Sequence, residues 1–403
     1  MDLTHFHTAG GAPLDLKAVR IAPGAVDALG DLLAEVGLGG KNGAFVFDSN
    51  TVDVFPARAA AGRVVVLPTG GLHGDDRAIA LLEEALPPCE FIVGVGAGTV
   101  TDLCRHAAFR RGIPFVSVPT ACSVDGFASH SCSLTLRGMK TTVPTRMPLA
   151  ICADTDILRR APLYLALSGF GDMMGKYIAL ADWQLAALLA GEPYDEDIAA
   201  MQREAVSITR QTAPLLAGQD EQSHHALIRG LILSGIAMQL AGVSRPAAGA
   251  EHYLSHFWEM EGLGVPATAL HGERVGAATL MVLRRYRQIA AEGPAFFAAY
   301  PRPMESEDAI RRRFGKRGEI MCAENRADSI AGVSRRRIGE SWPRIAAILA
   351  ALPDADELDT LYRRLGAKRT MRDLDLPDAV EESLYWSPYA RNKLTLLRIA
   401  GRC

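Results

Sequence analysis

Along the first part of the chain, short β-branched and aromatic runs alternate with segments whose apolar positions recur every three to four residues. Ala44–Phe47, Arg63–Leu67, Phe91–Val95, Pro114–Val118 and Leu149–Cys152 have the length and composition of buried strands, while Ala25–Val36 and Arg77–Leu86 carry helical spacing. That alternation predicts a parallel sheet covered by helices. After about Arg160 the β-rich runs stop, and Ala/Leu-rich segments follow at Met173–Ala190, Asp197–Leu216, Ala226–Leu240, Glu273–Ala290 and Trp342–Leu352. The expected architecture is an α/β, Rossmann-like domain over residues 1–157 and an all-α domain over residues 158–403. Arg302–Arg337 is highly charged without clear periodicity, which predicts either short surface helices or a mobile excursion.

Bulk properties narrow this picture. At 403 residues the chain exceeds the roughly 250–300 residues that one core supports, in line with two domains. A net charge of −3 lacks the basic footprint of a nucleic-acid binder, so the expected partner is a small molecule that needs only a few local cations. The seven cysteines are odd in number and form no CxxC pair, which predicts reduced thiols and a cytoplasmic protein. The first fifteen residues carry no basic stretch followed by an apolar one, and no apolar run reaches the ~18 residues of a membrane span.

Phe91–Asp102, FIVGVGAGTVTD, runs from a strand into a glycine loop that opens a helix. Glycines let the backbone approach a pyrophosphate, and the helix start offers free N–H groups to it. Thr99 stands where GxGxxG would have its third glycine, so a turn that merely packs strand on helix fits this loop as well. Asp48 ends a strand in AFVFDSN, where a carboxylate could accept the adenine-ribose hydroxyls of NAD or simply cap a turn. The loop VPTACSVDGFAS (118–129) also follows a predicted strand, so it is expected at the same end of the sheet.

The other chemistry lies in EHYLSH (251–256). His252 and His256 are four apart on a predicted helix and therefore share a face. His271 follows in LHGE, and Asp172 lies between glycines in SGFGDMMGK. Imidazoles with one carboxylate suit zinc, nickel or iron, and three ligands leave a position open for catalysis. Spacing alone allows either histidine of the pair to be the ligand. His224 and His225 sit in a polar stretch and are expected at the surface.

Taken in order, GAGTVTD, VPTACSVDGFAS, SGFGDMMGKYIALADWQLA, SRPAAGAEHYLSHFWEM and ALHGERVG resemble the sn-glycerol-1-phosphate dehydrogenases, over roughly Lys17 to Val282. Their superfamily also holds glycerol dehydrogenase, iron-containing alcohol dehydrogenase and dehydroquinate synthase. The resemblance implies a dehydroquinate synthase-like fold. It implies NAD or NADP bound by Gly98, Thr99, Val100, Thr101 and Asp102, by Thr120, Ala121, Cys122 and Ser123, and by Ser129. It further implies one divalent ion on Asp172, His252 and His271, substrate contacts at Asp125, Asp172 and His256, and a catalytic role for His256. Ala97 and Cys122 depart from the glycine or hydroxyl residues expected there.

The implied reaction is metal-dependent reduction of dihydroxyacetone phosphate to glycerol 1-phosphate by a homodimer. For the phosphate, Lys140, in the basic stretch Arg137–Arg146, and Arg245 are candidate cations, and Lys140 also fits a solvated basic surface. The alternatives are a related polyol or alcohol dehydrogenase, a sugar-phosphate cyclase, or an inactive nucleotide-binding protein with a structural or regulatory role. The cyclase's glycine-lysine signature after the VPT strand is replaced here by SVDGFAS.

Overall fold

A computed structural model of the chain describes residues 14–55, 62–137, 139–266 and 268–403; the side chains of residues 139 and 140 also lie outside the described part. Spatially the chain forms two compact units, one of Met1–Phe170 with Ser207–Val243, the other of Gly171–Val206 with Ser244–Cys403. The division therefore differs from a single cut after residue 157, because the apolar helix Glu221–Ala241 belongs with the sheet.

The first unit holds β1 (Ala18–Ala22), β2 (Gly43–Asp48), β3 (Arg63–Leu67), β4 (Phe91–Gly96), β5 (Phe115–Pro119), β6 (Ser131–Leu136), β7 (Met139–Pro144) and β8 (Ala150–Asp154). Six of them form a parallel sheet in the order β1-β8-β5-β4-β2-β3, and β6 and β7 form a separate antiparallel hairpin. Val93, Val95, Val116 and Val118 are buried in the cluster on one face, and Leu103, Cys104 and Ala107 of the helix Gly98–Arg111 in the cluster on the other. The chain leaves β2 toward β3 on one side and leaves β4 toward β5 on the other. The order therefore reverses between β2 and β4, and in open α/β sheets ligands bind beyond the strand ends at that point. β1 and the hairpin are absent from the predicted strands. β1 is a five-residue edge strand interrupted by Arg20, so it shows no buried apolar run.

The second unit is built of helices, among them Gly171–Ala190 of the long helix Leu163–Ala190, Ala250–Glu259, His271–Glu292 and Arg335–Ala350. Glu307–Phe314 and Gly318–Glu324 are short helices within the charged stretch. The start of the helix Ala250–Glu259 has no side-chain cap of its own, because Gly249 stands at the N-cap. Asp182 supplies the acceptor instead, taking the N–H of Ala250 at 2.9 Å.

Asp182 is fully buried and also accepts the Tyr286 hydroxyl at 2.7 Å and the N–H of Leu396 at 2.9 Å. Burial pushes its carboxyl up to about 7 against these three donors. Its contribution to stability is therefore full below the unfolded carboxylate value of roughly 4 and declines as pH rises through the folded value. Tyr286→Phe removes a donor that matters most to the ionised form. The expected loss is about 2–3 kcal/mol near pH 8.5 and about 1 kcal/mol near pH 5.5, read from urea unfolding at both pH values. Equal losses would mean that Asp182 does not ionise in this range.

Candidate metal centre and nucleotide-binding loops

In the first unit, the glycine loop links β4 to the helix Gly98–Arg111. A Cβ on Gly96 would lie 2.5 Å from Val100 Cβ, so strand-to-helix packing by itself requires glycine there. No side chain caps the helix at Ala97, and by position the N–H groups of Gly98, Thr99 and Val100 have no intrahelical acceptor. The N–H of Thr101 is already bonded to the Ala97 carbonyl at 3.0 Å, and the side chains of Val100 and Thr101 face the core. Asp102 accepts from Arg105 Nη1 at 3.2 Å and from the N–H of Ser133 at 3.0 Å. An anion placed at this helix start would meet the N–H groups of residues 98–100. Asp48 ends β2, beside β4 across the switch point, and its Oδ1 takes the N–H of Asn50 at 2.9 Å. It serves the turn, with Oδ2 outside that bond.

The loop 120–129 is buried and tied down. Thr120 N–H bonds to the Gly96 carbonyl at 3.2 Å, and Ser168 Oγ donates to the Ser123 carbonyl at 3.0 Å. The Cys122 thiol faces the His224 carbonyl at 3.8 Å, and burial pushes its pKa well above the usual thiol range, so Ala121 and Cys122 offer a ligand only backbone and bulk. Asp125 Oδ2 accepts from Ser234 Oγ at 2.9 Å, and Ser129 Oγ accepts the N–H of Ser131 at 3.0 Å. Arg105, which the sequence reading overlooks, is buried and donates to the carbonyls of Gly126, Phe127 and Ser131 at 2.6, 3.1 and 2.9 Å. It clamps this loop to the helix that follows the glycines. His224, expected at the surface, is buried with Nδ1 2.8 Å from the Asp220 carbonyl, because the first turn of its helix faces Cys122.

In the second unit, ligand atoms of Asp172, His252 and His271 lie within 4.8 Å of one another; among the described residues no other group of this kind occurs. The approach depends on glycine: a Cβ on Gly171 would lie 2.3 Å from the Gly272 carbonyl oxygen, so the Asp172 helix can meet the start of the His271 helix only without a side chain there. His252 Nε2 is 3.6 Å from Asp172 Oδ1, and the His252 and His271 rings are 5.3 Å apart. The set of one carboxylate oxygen and two imidazole nitrogens fits a divalent ion with a position left open.

Side chains around this set fix its orientation. Glu251 Oε1 lies 2.7 Å from His252 Nδ1 and also accepts the N–H of Gly249 at 3.0 Å, which assigns the Nδ1–H tautomer and leaves Nε2 toward Asp172. Lys176, fully buried one turn after Asp172, donates to Asp172 Oδ1 at 2.8 Å and to the Ala247 carbonyl at 3.1 Å. Burial would raise the Asp172 carboxyl, but Lys176, His252 and His271 together hold it well below the usual range. For His252, burial and Lys176 act downward while Asp172 and Glu251 act upward, and the net value is about 9. Burial, opposed by Asp172, lowers His271 to about 3.

His256 stands apart from the ligand group, its ring 6.3 Å from that of His252 and 6.1 Å from that of His271, with about 26% of its side chain exposed. Its Nδ1 faces Glu259 Oε2 at 3.2 Å, and Arg274 holds the other oxygen of Glu259 at 3.1 Å. Glu251 and Lys176 were legible only as an acid next to a histidine and a base one helical turn from an aspartate. Arg245, a candidate phosphate cation, is instead buried and paired with Glu192 and the Leu394 carbonyl. The side chain of Lys140 lies outside the described residues.

A chain from Bacillus licheniformis with the name glycerol-1-phosphate dehydrogenase [NAD(P)+] is 32% identical over 97% of this chain and 90% of its own length. This chain belongs to the glycerol-1-phosphate dehydrogenase family. A Bacillus subtilis chain of the same name is 36% identical over 71% of this chain and 76% of its own. The iron-containing alcohol dehydrogenase family pattern matches residues 20–162. A crystal structure of a probable glycerol dehydrogenase from Sinorhizobium meliloti superposes with a TM-score of 0.63 over 96% of this chain and 95% of its own, at 16% identity. That likeness bears out the expected fold class. Among the described residues, no helix is long and apolar enough to cross a membrane.

Proposed function

We propose that the chain reduces dihydroxyacetone phosphate to glycerol 1-phosphate with NADH or NADPH, and that Asp172, His252 and His271 hold one divalent ion, zinc, nickel or iron. The observation that carries this reading is the convergence of those three ligand atoms within 4.8 Å in a chain whose relatives bear the dehydrogenase name. A bound divalent ion supplies Lewis acidity toward a carbonyl oxygen, and a reduced nicotinamide supplies the hydride.

The chain's own residues bind, orient and carry the proton. The N–H groups of residues 98–100 take the pyrophosphate, Asp48 the adenine ribose, and the loops at 120–123 and Ser129 enclose the rest of the dinucleotide. Asp125 and His256 contact the substrate. With Nδ1–H directed to Glu259, His256 presents Nε2 as a base that accepts the hydroxyl proton when the alcohol is oxidised and returns it when the ketone is reduced. Burial lowers the His256 pKa and the Glu259 carboxylate opposes part of that lowering, which keeps the imidazole a base and gives its positive form a partner when it arises. A cytoplasmic, homodimeric enzyme completes the proposal.

The test is NADH and NADPH oxidation with dihydroxyacetone phosphate and with dihydroxyacetone, after chelation and after reloading with zinc, nickel or iron. Turnover that survives complete metal removal, or that never occurs with either ketone, contradicts the proposal.

A further inference from the structure

A phosphate ester needs cations that are not already neutralised, and most basic groups around the histidines are. Arg274 is held by Glu259 at 3.1 Å, Lys368 by Glu273 at 3.3 Å and Lys176 by Asp172 at 2.8 Å, and Arg245 is paired with Glu192. Arg391 and Lys393 differ. Neither side chain has a hydrogen-bond or ion-pair partner among the described residues, yet both are only partly exposed.

These two residues flank a tight turn, closed by the Lys393 N–H on the Arg391 carbonyl at 3.0 Å. The turn is anchored from both sides. Asn392 donates its N–H to Glu324 Oε1 at 3.2 Å and accepts the N–H of Ser329 at 2.9 Å, while the Leu394 carbonyl takes Arg245 Nη1 at 2.7 Å. Just before it, Ser387–Tyr389 packs on the helix Ala250–Glu259. The turn thus follows directly on the element packed against the helix that carries His256, where burial lowers the imidazole and Arg391 adds to the lowering. Lys393 is itself lowered by burial and by Arg245, with Arg391 contributing in the same sense. Glu192 and Glu324 act against this, but each is already engaged, by Arg245 and by the N–H of Asn392. Two partly desolvated like charges, held rigidly without an ion pair, are costly unless an anion joins them.

We infer that Arg391 and Lys393 form the subsite for the phosphate of the substrate whose carbonyl is reduced beside His256. The ligand class is the phosphomonoester of a short ketone or polyol. This rests on the proposed reduction of a phosphorylated ketone, so the experiment separates the two. Wild type, Arg391→Met, Lys393→Met and Arg391→Lys are compared in kcat/KM for dihydroxyacetone phosphate and for dihydroxyacetone, and inorganic phosphate is titrated into each by calorimetry.

In Arg391→Met the ratio of the two kcat/KM values is expected to fall about 50-fold, mainly through KM for the phosphorylated ketone, as loss of a charge-assisted bidentate contact implies. Lys393→Met should lower it about 10-fold, and Arg391→Lys should recover part of the loss because a point charge remains. Phosphate affinity should weaken in the same order. A ratio within about threefold of wild type, with unchanged phosphate binding, overturns the subsite even if the wild type reduces the phosphorylated ketone well. Weakened phosphate binding in the variants of a wild type that does not reduce that ketone supports the subsite and refutes the substrate reading. Should Arg391→Met fail to fold, Lys393→Met and Arg391→Lys distinguish the same outcomes.

Discussion

His271→Ala is expected to lose its bound metal and to slow reduction of dihydroxyacetone phosphate by about 10⁴-fold, or roughly 5–6 kcal/mol of transition-state stabilisation. In the proposed centre His271 supplies one of three ligand atoms, and Asp172 with His252 alone cannot hold a divalent ion in a defined geometry. The helix it starts should survive the change. Its first turn is secured by the Leu270 N–H on Glu273 Oε2 at 2.8 Å, and alanine is a good helix former. Nucleotide affinity should stay within about twofold of wild type, because the glycine loop belongs to the other compact unit. Metal analysis and nucleotide fluorescence titration read the two effects separately. His256→Ala provides the contrast: lying outside the ligand group, it should keep its metal while losing turnover. Metal loss in His256→Ala with retention in His252→Ala would reverse the roles of the two histidines.

This contrast was not available from spacing, since residues four apart on a helix share a face and either could be a ligand. The sequence showed what lies in a short segment: the glycine loop, the EHYLSH pair and five of the six strands of the parallel sheet. It concealed what depends on contacts across the chain. Lys176 reads as an ordinary helix base until it is seen bonded to Asp172 and Ala247, and Arg105 reads as a surface base although three backbone carbonyls surround it. β1 was missed because an edge strand needs no continuous apolar run, and it is recognised only by its pairing with β8. His224 and Arg245 were misjudged for one reason: a polar local sequence says nothing of which way a helix or turn faces. Unpaired cations such as Arg391 and Lys393 stand out only after the other bases have found their partners.

The pairing of Lys176 with Asp172 leads to a stability effect that depends on metal. Both side chains are fully buried, and the ammonium supplies the nearest positive charge to a carboxylate that lacks bulk water. Lys176→Met removes the nearest of the positive groups beside that carboxylate, leaving it only the His252 and His271 imidazoles, and also frees the Ala247 carbonyl. In metal-free protein the expected loss is about 3–5 kcal/mol, the usual cost of removing one member of a buried pair. In metal-loaded protein the divalent ion provides the missing countercharge, and the loss should shrink to about 1–2 kcal/mol, chiefly the hydrogen bond to Ala247. The gap in unfolding free energy between loaded and stripped forms should therefore widen in the variant by roughly 2–3 kcal/mol, which linkage equates with tighter metal binding. Urea unfolding of both forms near pH 8 measures it, since Asp172 cannot readily escape there by taking up a proton. If Lys176→Met costs the same in both forms, Lys176 contributes packing alone, and the charge of the ion is balanced elsewhere.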